Sequence, residues 1–312
     1  MAPLASLVAT VVSARFAWQL LARWRERRRN VALGYWGASL AMFSLASAAL
    51  LAGALIDWTS PTFRVFYLFG AVLNVPWLAL GSSVINAPSP VVSRVTGSFV
   101  ALTGVLLLPG LSGDDPLLFV PGVVLGVGWG VLLLVGVPRA TRVGAPILVG
   151  LFTAVSVVAV LGADLVAPIP AAGLPEGREL FPIPVRGLAV GGNAVGAVLV
   201  IVSAVAASAN VAWGRPPRGT LARARAESVW GLTDTLARWF FAGRRGAGRG
   251  HVIRGNLLIA LGVLVAAAGG ALSFLGETTG HAVGLGLGVI IMYAGFVRTT
   301  RPVEEAGSVG SA

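Results

Sequence analysis

Apolar residues run through this chain in stretches longer than the helices of a soluble core. Short charged or Pro/Gly-rich segments separate them. Nine stretches stand out: Pro3–Ala22, Val31–Ile56, Val65–Ile85, Val91–Leu111, Leu117–Val137, Pro146–Leu165, Gly187–Trp213, Gly255–Leu275 and His281–Val297. A bilayer core about 30 Å thick is crossed by roughly 20 apolar residues in a helix, so the pattern predicts an all-α, polytopic membrane protein of about nine transmembrane helices. The expected organisation is a seven-span bundle over 1–213, a basic cytoplasmic loop over 214–254, two further spans over 255–297 and a cytoplasmic tail over 298–312.

Arginine sets the expected sidedness. Basic residues in short loops are retained on the cytoplasmic side. With the N-terminus outside, the inner segments hold 19 of the 23 arginines, and Arg64, Arg178 and Arg186 lie outside. The cluster Arg23, Arg25, Arg27, Arg28 and Arg29 behind the first span is the strongest determinant. This reading is N-out/C-in, as a multi-pass protein of the cell membrane. The first basic residue is Arg15, so no positive region precedes the first apolar stretch, and that stretch is expected to stay in the mature protein.

Composition agrees with the pattern: 56% of residues are hydrophobic, 11% are charged and the net charge is +11. An ordinary soluble chain is about 25% charged. The chain has no lysine and no cysteine. A retinal or pyridoxal Schiff base and a Walker-A lysine are thereby excluded. So are disulfides, thiolate metal sites and cysteine nucleophiles. Only His251 and His281 are histidines, and neither has a second at ligand spacing. No cofactor or metal is expected.

The loop from Gly214 to Arg254 carries a recurrent apolar set, Val229, Leu232, Leu236, Trp239 and Phe240, at helical spacing behind a capping Thr220. Arginines surround it, so it reads as an amphipathic helix on anionic inner-leaflet lipids, with Arg223, Arg225, Trp239, Arg244 and Arg245 at the membrane surface. A basic linker is the alternative. Both ends are tethered to the bilayer, which argues against nucleic acid as a partner. The outer segment Ala163–Arg186 contains five prolines and is expected to form an irregular, partly extended cap.

Ionisable residues at mid-depth mark membrane sites, because hydrocarbon tolerates a charge mainly where it works. Only Arg15 qualifies, since Arg94 and Asp164 lie at the edges of their spans; it reads as an anion or lipid-phosphate contact, as an ion pair inside the bundle, or as a snorkelling side chain. Carboxylates flank the spans at their outer ends, at Asp57, Asp164 and Glu277, which weighs against proton- or sodium-coupled transport. Asn74 lies two residues before Pro76, whose missing N–H frees a carbonyl one turn earlier. Asn193 occupies a second span of the same direction, so both amides are placed to face one cavity, or to bond helix to helix. Arg15, Asn74 and Asn193 are therefore the candidate ligand-binding residues, with no catalytic set. Gly122, Gly126 and Gly130, and Gly280, Gly284 and Gly288, form small-residue stripes for close packing.

These features point to a non-enzymatic bundle that binds or moves a small amphiphile or lipid. The alternatives are a sensor or scaffold working through a separate protein partner and, with fewer supporting residues, a lipid-modifying enzyme.

Overall fold

The computed structural model describes residues 2–26, 30–85, 90–108, 120–135, 138–170, 174–213, 247–273 and 278–300. All regular secondary structure among them is helical: α1 (Ala2–Glu26), α2 (Val31–Ile56), α3 (Ser60–Phe66), a π-helical segment (Tyr67–Leu73), α4 (Asn74–Ile85), α5 (Pro90–Val105), α6 (Val120–Val135), α7 (Pro138–Gly162), the single turn α8 (Gly177–Leu180), α9 (Ile183–Trp213), α10 (Ala247–Ser273) and α11 (Thr278–Thr300). Helix occupies each of the nine apolar stretches. Among the described residues, five helices are long and apolar enough to cross a membrane: Pro3–Glu26, Val31–Ile56, Ser60–Val84, Thr141–Gly162 and Ile183–Val205. Three shorter apolar helices accompany them, Val120–Val135, Leu257–Ala266 and Val283–Val297. The chain is a helical membrane protein by these features.

Several helices begin earlier than the apolar pattern indicates, α7 and α10 by eight residues. The third rod starts at Ser60 rather than Val65, because the Thr59 hydroxyl accepts from the Thr62 N–H at 3.4 Å and Pro61 fits the first turn. The sixth starts at Pro138 and carries Pro146 inside the helix. The basic loop lies largely outside the described residues, and with it Arg223, Arg225, Trp239, Arg244 and Arg245.

Helix α9 is central. It packs against α4, the π-helical segment, α5, α6, α7 and α10, while α1/α2, α5/α6 and α10/α11 form paired helices and α11 returns to lie on α1. Hydrocarbon gives helices no hydrophobic reason to associate, so close backbone approach supplies the contact. Gly104 meets Gly126 across α5 and α6, Gly122 meets Gly191 across α6 and α9, and Gly269 meets Gly284 across α10 and α11. Ser93 adds a buried bond from α5 to the Leu133 carbonyl of α6, at 2.7 Å.

One end of the bundle is closed by the segment after α7. Leu180 and Phe181 are buried beneath it, and the Val166 N–H bonds to the Leu180 carbonyl at 2.9 Å. The Phe181 ring stacks on Phe63 at 5.2 Å and meets Tyr67 at 4.6 Å. Arg64 fastens this cap: its guanidinium donates to the carbonyls of Val160, Leu161 and Ala163 and lies 5.8 Å from the Phe181 ring centre. A helix C-terminus leaves its last carbonyls without partners, and the cation meets the negative end of α7. The expected irregular cap is thus present, with one helical turn in it.

Candidate functional site

Two features of the bundle stand out, a polar break and a small apolar crevice.

The first is a polar break near the middle of the apolar stretches Ser60–Val84 and Ile183–Val205, where α9 meets the third rod. Pro76 has no N–H, so an α-helical register leaves the Val72 carbonyl unbonded and a π register leaves that of Ala71. Asn193 answers this: its Nδ2 donates to the Ala71 carbonyl at 2.8 Å. Beside it, Gly192 lets α9 come close, since a Cβ there would lie 3.1 Å from the Val72 oxygen and 2.9 Å from the Phe152 ring. Asn193 is ten residues into α9, or about 15 Å at 1.5 Å per residue, half of a core about 30 Å thick.

Asn74 joins the same break through its backbone. Ser39 of α2 donates to the Asn74 carbonyl at 2.7 Å. The structure places the Asn193 amide on the Ala71 carbonyl and the Ser39 hydroxyl on the Asn74 carbonyl; it does not pair the two side-chain amides. Nearby, the buried face of α7 is Ala145, Val149, Phe152, Ser156 and Val160. The Asn193 Oδ1 and the Ser156 Oγ are buried with no hydrogen-bond partner among the described residues. One turn further in, Trp77 Nε1 donates to Thr153 Oγ1 at 3.1 Å.

Arg15 is elsewhere. Its side chain is exposed and aligned with the exposed Leu4, Val8, Val11 and Trp18 along the outer stripe of α1. It makes no hydrogen bond or ion pair among the described residues. The structure does not bring it to the asparagines.

The second feature was not legible as a site in the sequence. It is a small apolar crevice with about 30 Å³ of accessible space, lined by Phe16 and Leu20 of α1, Trp36 and Leu40 of α2, Leu78 and Ser82 of α4, Ile259 of α10, and Met292 and Phe296 of α11. Four helices each contribute residues four apart, so the walls run parallel to the helix axes for about a turn, roughly 6 Å. Trp36 Nε1 is held by the Leu78 carbonyl at 3.1 Å and Ser82 Oγ at 3.3 Å, which fixes the indole as a wall. Phe16 packs on Tyr293 at 4.9 Å and on Phe296 at 5.0 Å. Gln19 accepts from the Tyr293 hydroxyl at 3.3 Å.

Among the described residues, no three of His, Asp and Glu gather to hold a metal. Compared with family models, with curated proteins and with solved structures, the chain matches none.

Proposed function

We propose that the chain is a nine-span, N-out/C-in membrane bundle that binds or moves a small amphiphile or lipid without transforming it. The polar break between α9 and the third rod carries this reading: the Asn193 Oδ1 there, and the Ser156 Oγ on the buried face of α7, have no hydrogen-bond partner among the described residues and are available to a ligand's polar group. The polar break at Asn193 supplies a place where the bundle can flex or wet, since non-helical backbone at membrane depth is tolerated only within protein or beside water. The loop over 214–254 would add docking to anionic inner-leaflet lipids.

Native mass spectrometry of the intact protein in mild detergent tests the binding. The wild type is expected to retain a lipid or amphiphile mass, and Ser156→Ala, which removes the unpartnered hydroxyl, to retain less of it. A bare wild-type protein that also fails to take up added phospholipid would overturn the reading. A stoichiometric protein partner in its place would favour the scaffold.

For the topology, reporter fusions at Gly113 and Ala172 are expected to read as external and those at Gly246 and Gly310 as internal. One reversed pair removes a span from the arrangement.

A further inference from the structure

We infer that the outward face of α1 docks a transmembrane helix of a second, different membrane protein, and that this helix carries an aspartate or glutamate level with Arg15. The inference stands whether or not the bundle holds an amphiphile.

Helix α1 lies at the edge of the bundle. It packs mainly against α2 and α11, and the side it turns to the bundle, with Ala9, Ser13, Phe16, Ala17 and Leu20, is buried. The opposite side has a different character. Leu4, Leu7, Val11, Ala14 and Trp18 are exposed there, at spacings of three, four, three and four. That is the seam along which one helix receives another. Trp18 is 67% exposed, although tryptophan is among the commonest anchors of buried interfaces. Ala14 lets a partner backbone come close beside Arg15. Positions flanking such a seam pair charges across the interface, and Arg15 flanks it here.

Lipid is a poor cover for this charge. Arg15 is twelve residues from Pro3, where the apolar stretch begins, and eight from Arg23, the next basic residue. At 1.5 Å per residue these are about 18 and 12 Å along the axis. The Cα–Cβ bonds of a helix tilt toward its N-terminus, so Arg15 leans toward the farther end, which opposes snorkelling to the nearer headgroups. A guanidinium stays charged and carries five N–H donors, and acyl chains accept none of them. A carboxylate supplies both the opposite charge and two acceptors for the planar fork.

The chain's own spans do not supply one. None of its twelve carboxylates lies in the interior of an apolar stretch; Asp164, one residue from the end of Pro146–Leu165, comes nearest. A second copy would bring the same set, with Arg15 facing Arg15 or a surface without an acid. The charge therefore selects a different chain.

The test uses full-length protein in phosphatidylcholine nanodiscs, with synthetic Leu/Ala transmembrane helices that bear one Asp level with Arg15, or Leu in its place. Bound peptide is counted by native mass spectrometry. Wild type is expected to bind the Asp helix about tenfold more tightly than the Leu helix. Arg15→Leu is expected to bring the Asp helix down to the level of the Leu helix, whereas Arg15→Lys, which keeps the charge, retains most of the preference. Trp18→Ala is expected to weaken both helices about threefold, as loss of packing along the seam. Equal binding of the two helices by wild type overturns the inference, because a lipid phosphate or a carboxylate of the chain's own loops then already meets Arg15. A preference that survives Arg15→Leu overturns Arg15 as the contact, and Trp18→Ala binding like wild type overturns the stripe as the surface. A wild-type homodimer that Arg15→Leu dissolves would put a second copy there and overturn the different partner.

Discussion

Replacing Gly130 by leucine is expected to destabilise the protein by about 3 kcal/mol or more, or to prevent its accumulation in the membrane. A Cβ at this position would lie 2.5 Å from the Ala101 backbone nitrogen and 2.6 Å from its Cβ. Backbone cannot swing aside as a side-chain tip can, so α5 and α6 would have to separate along their length. Overpacking typically costs 1–3 kcal/mol, and here the same face also holds Gly104 against Gly126, where a Cβ would lie 2.6 Å from the facing glycine. Separation would break the Ser93 bond to the Leu133 carbonyl as well. Thermal unfolding in detergent, read beside Gly150→Leu, is the measurement, since a Cβ at Gly150 meets nothing within 4 Å. If the two variants melted together, close backbone contact would not be what joins α5 to α6.

Sequence pattern locates the helices and the glycine seams because both have a one-dimensional signature. Long apolar runs mark helices in hydrocarbon, and glycines four apart mark a smooth ridge. Which way a residue faces has no such signature when every side of a helix is apolar. Arg15 shows this. On α1, the stripe with Leu4, Val8, Val11 and Trp18 is turned outward, whereas Phe16, Ala17 and Leu20 are buried. Both faces read alike in the sequence, so only packing distinguishes them.

The crevice was hidden for a related reason. Its walls come from five helices, and no local spacing announces their meeting. Arg23 counted toward sidedness as one basic residue of a cluster; its stacking on Phe296 depends on α11 lying against α1. Arg64 was likewise legible only as an outer arginine. Its work, bonding the end of α7, joins residues nearly a hundred positions apart. The break at Pro76 was visible as a freed carbonyl, but the π register was not, and the contacts that meet it come from Asn193 and Gly192 of α9, far away in sequence.

That dependence makes a double-mutant cycle at the break informative. Asn193→Leu removes the donor to the Ala71 carbonyl and is expected to cost about 1–3 kcal/mol, the penalty of an unsatisfied buried group. Model interhelical bonds in membranes average nearer 0.6 kcal/mol, but a backbone carbonyl lacking its own helical partner has fewer alternatives than a side chain. Pro76→Ala restores an N–H that can reach Ala71 in the π register or Val72 in the α register. In that background Asn193→Leu is expected to cost less than about 0.5 kcal/mol, because the carbonyl then has a donor within its own helix. Unfolding in a common detergent gives the four stabilities, and the coupling is their difference. Equal costs in the two backgrounds would mean that Asn193 is not compensating for the proline. The bond at 2.8 Å would then be one more contact between helices, and the π-helical segment would need another cause.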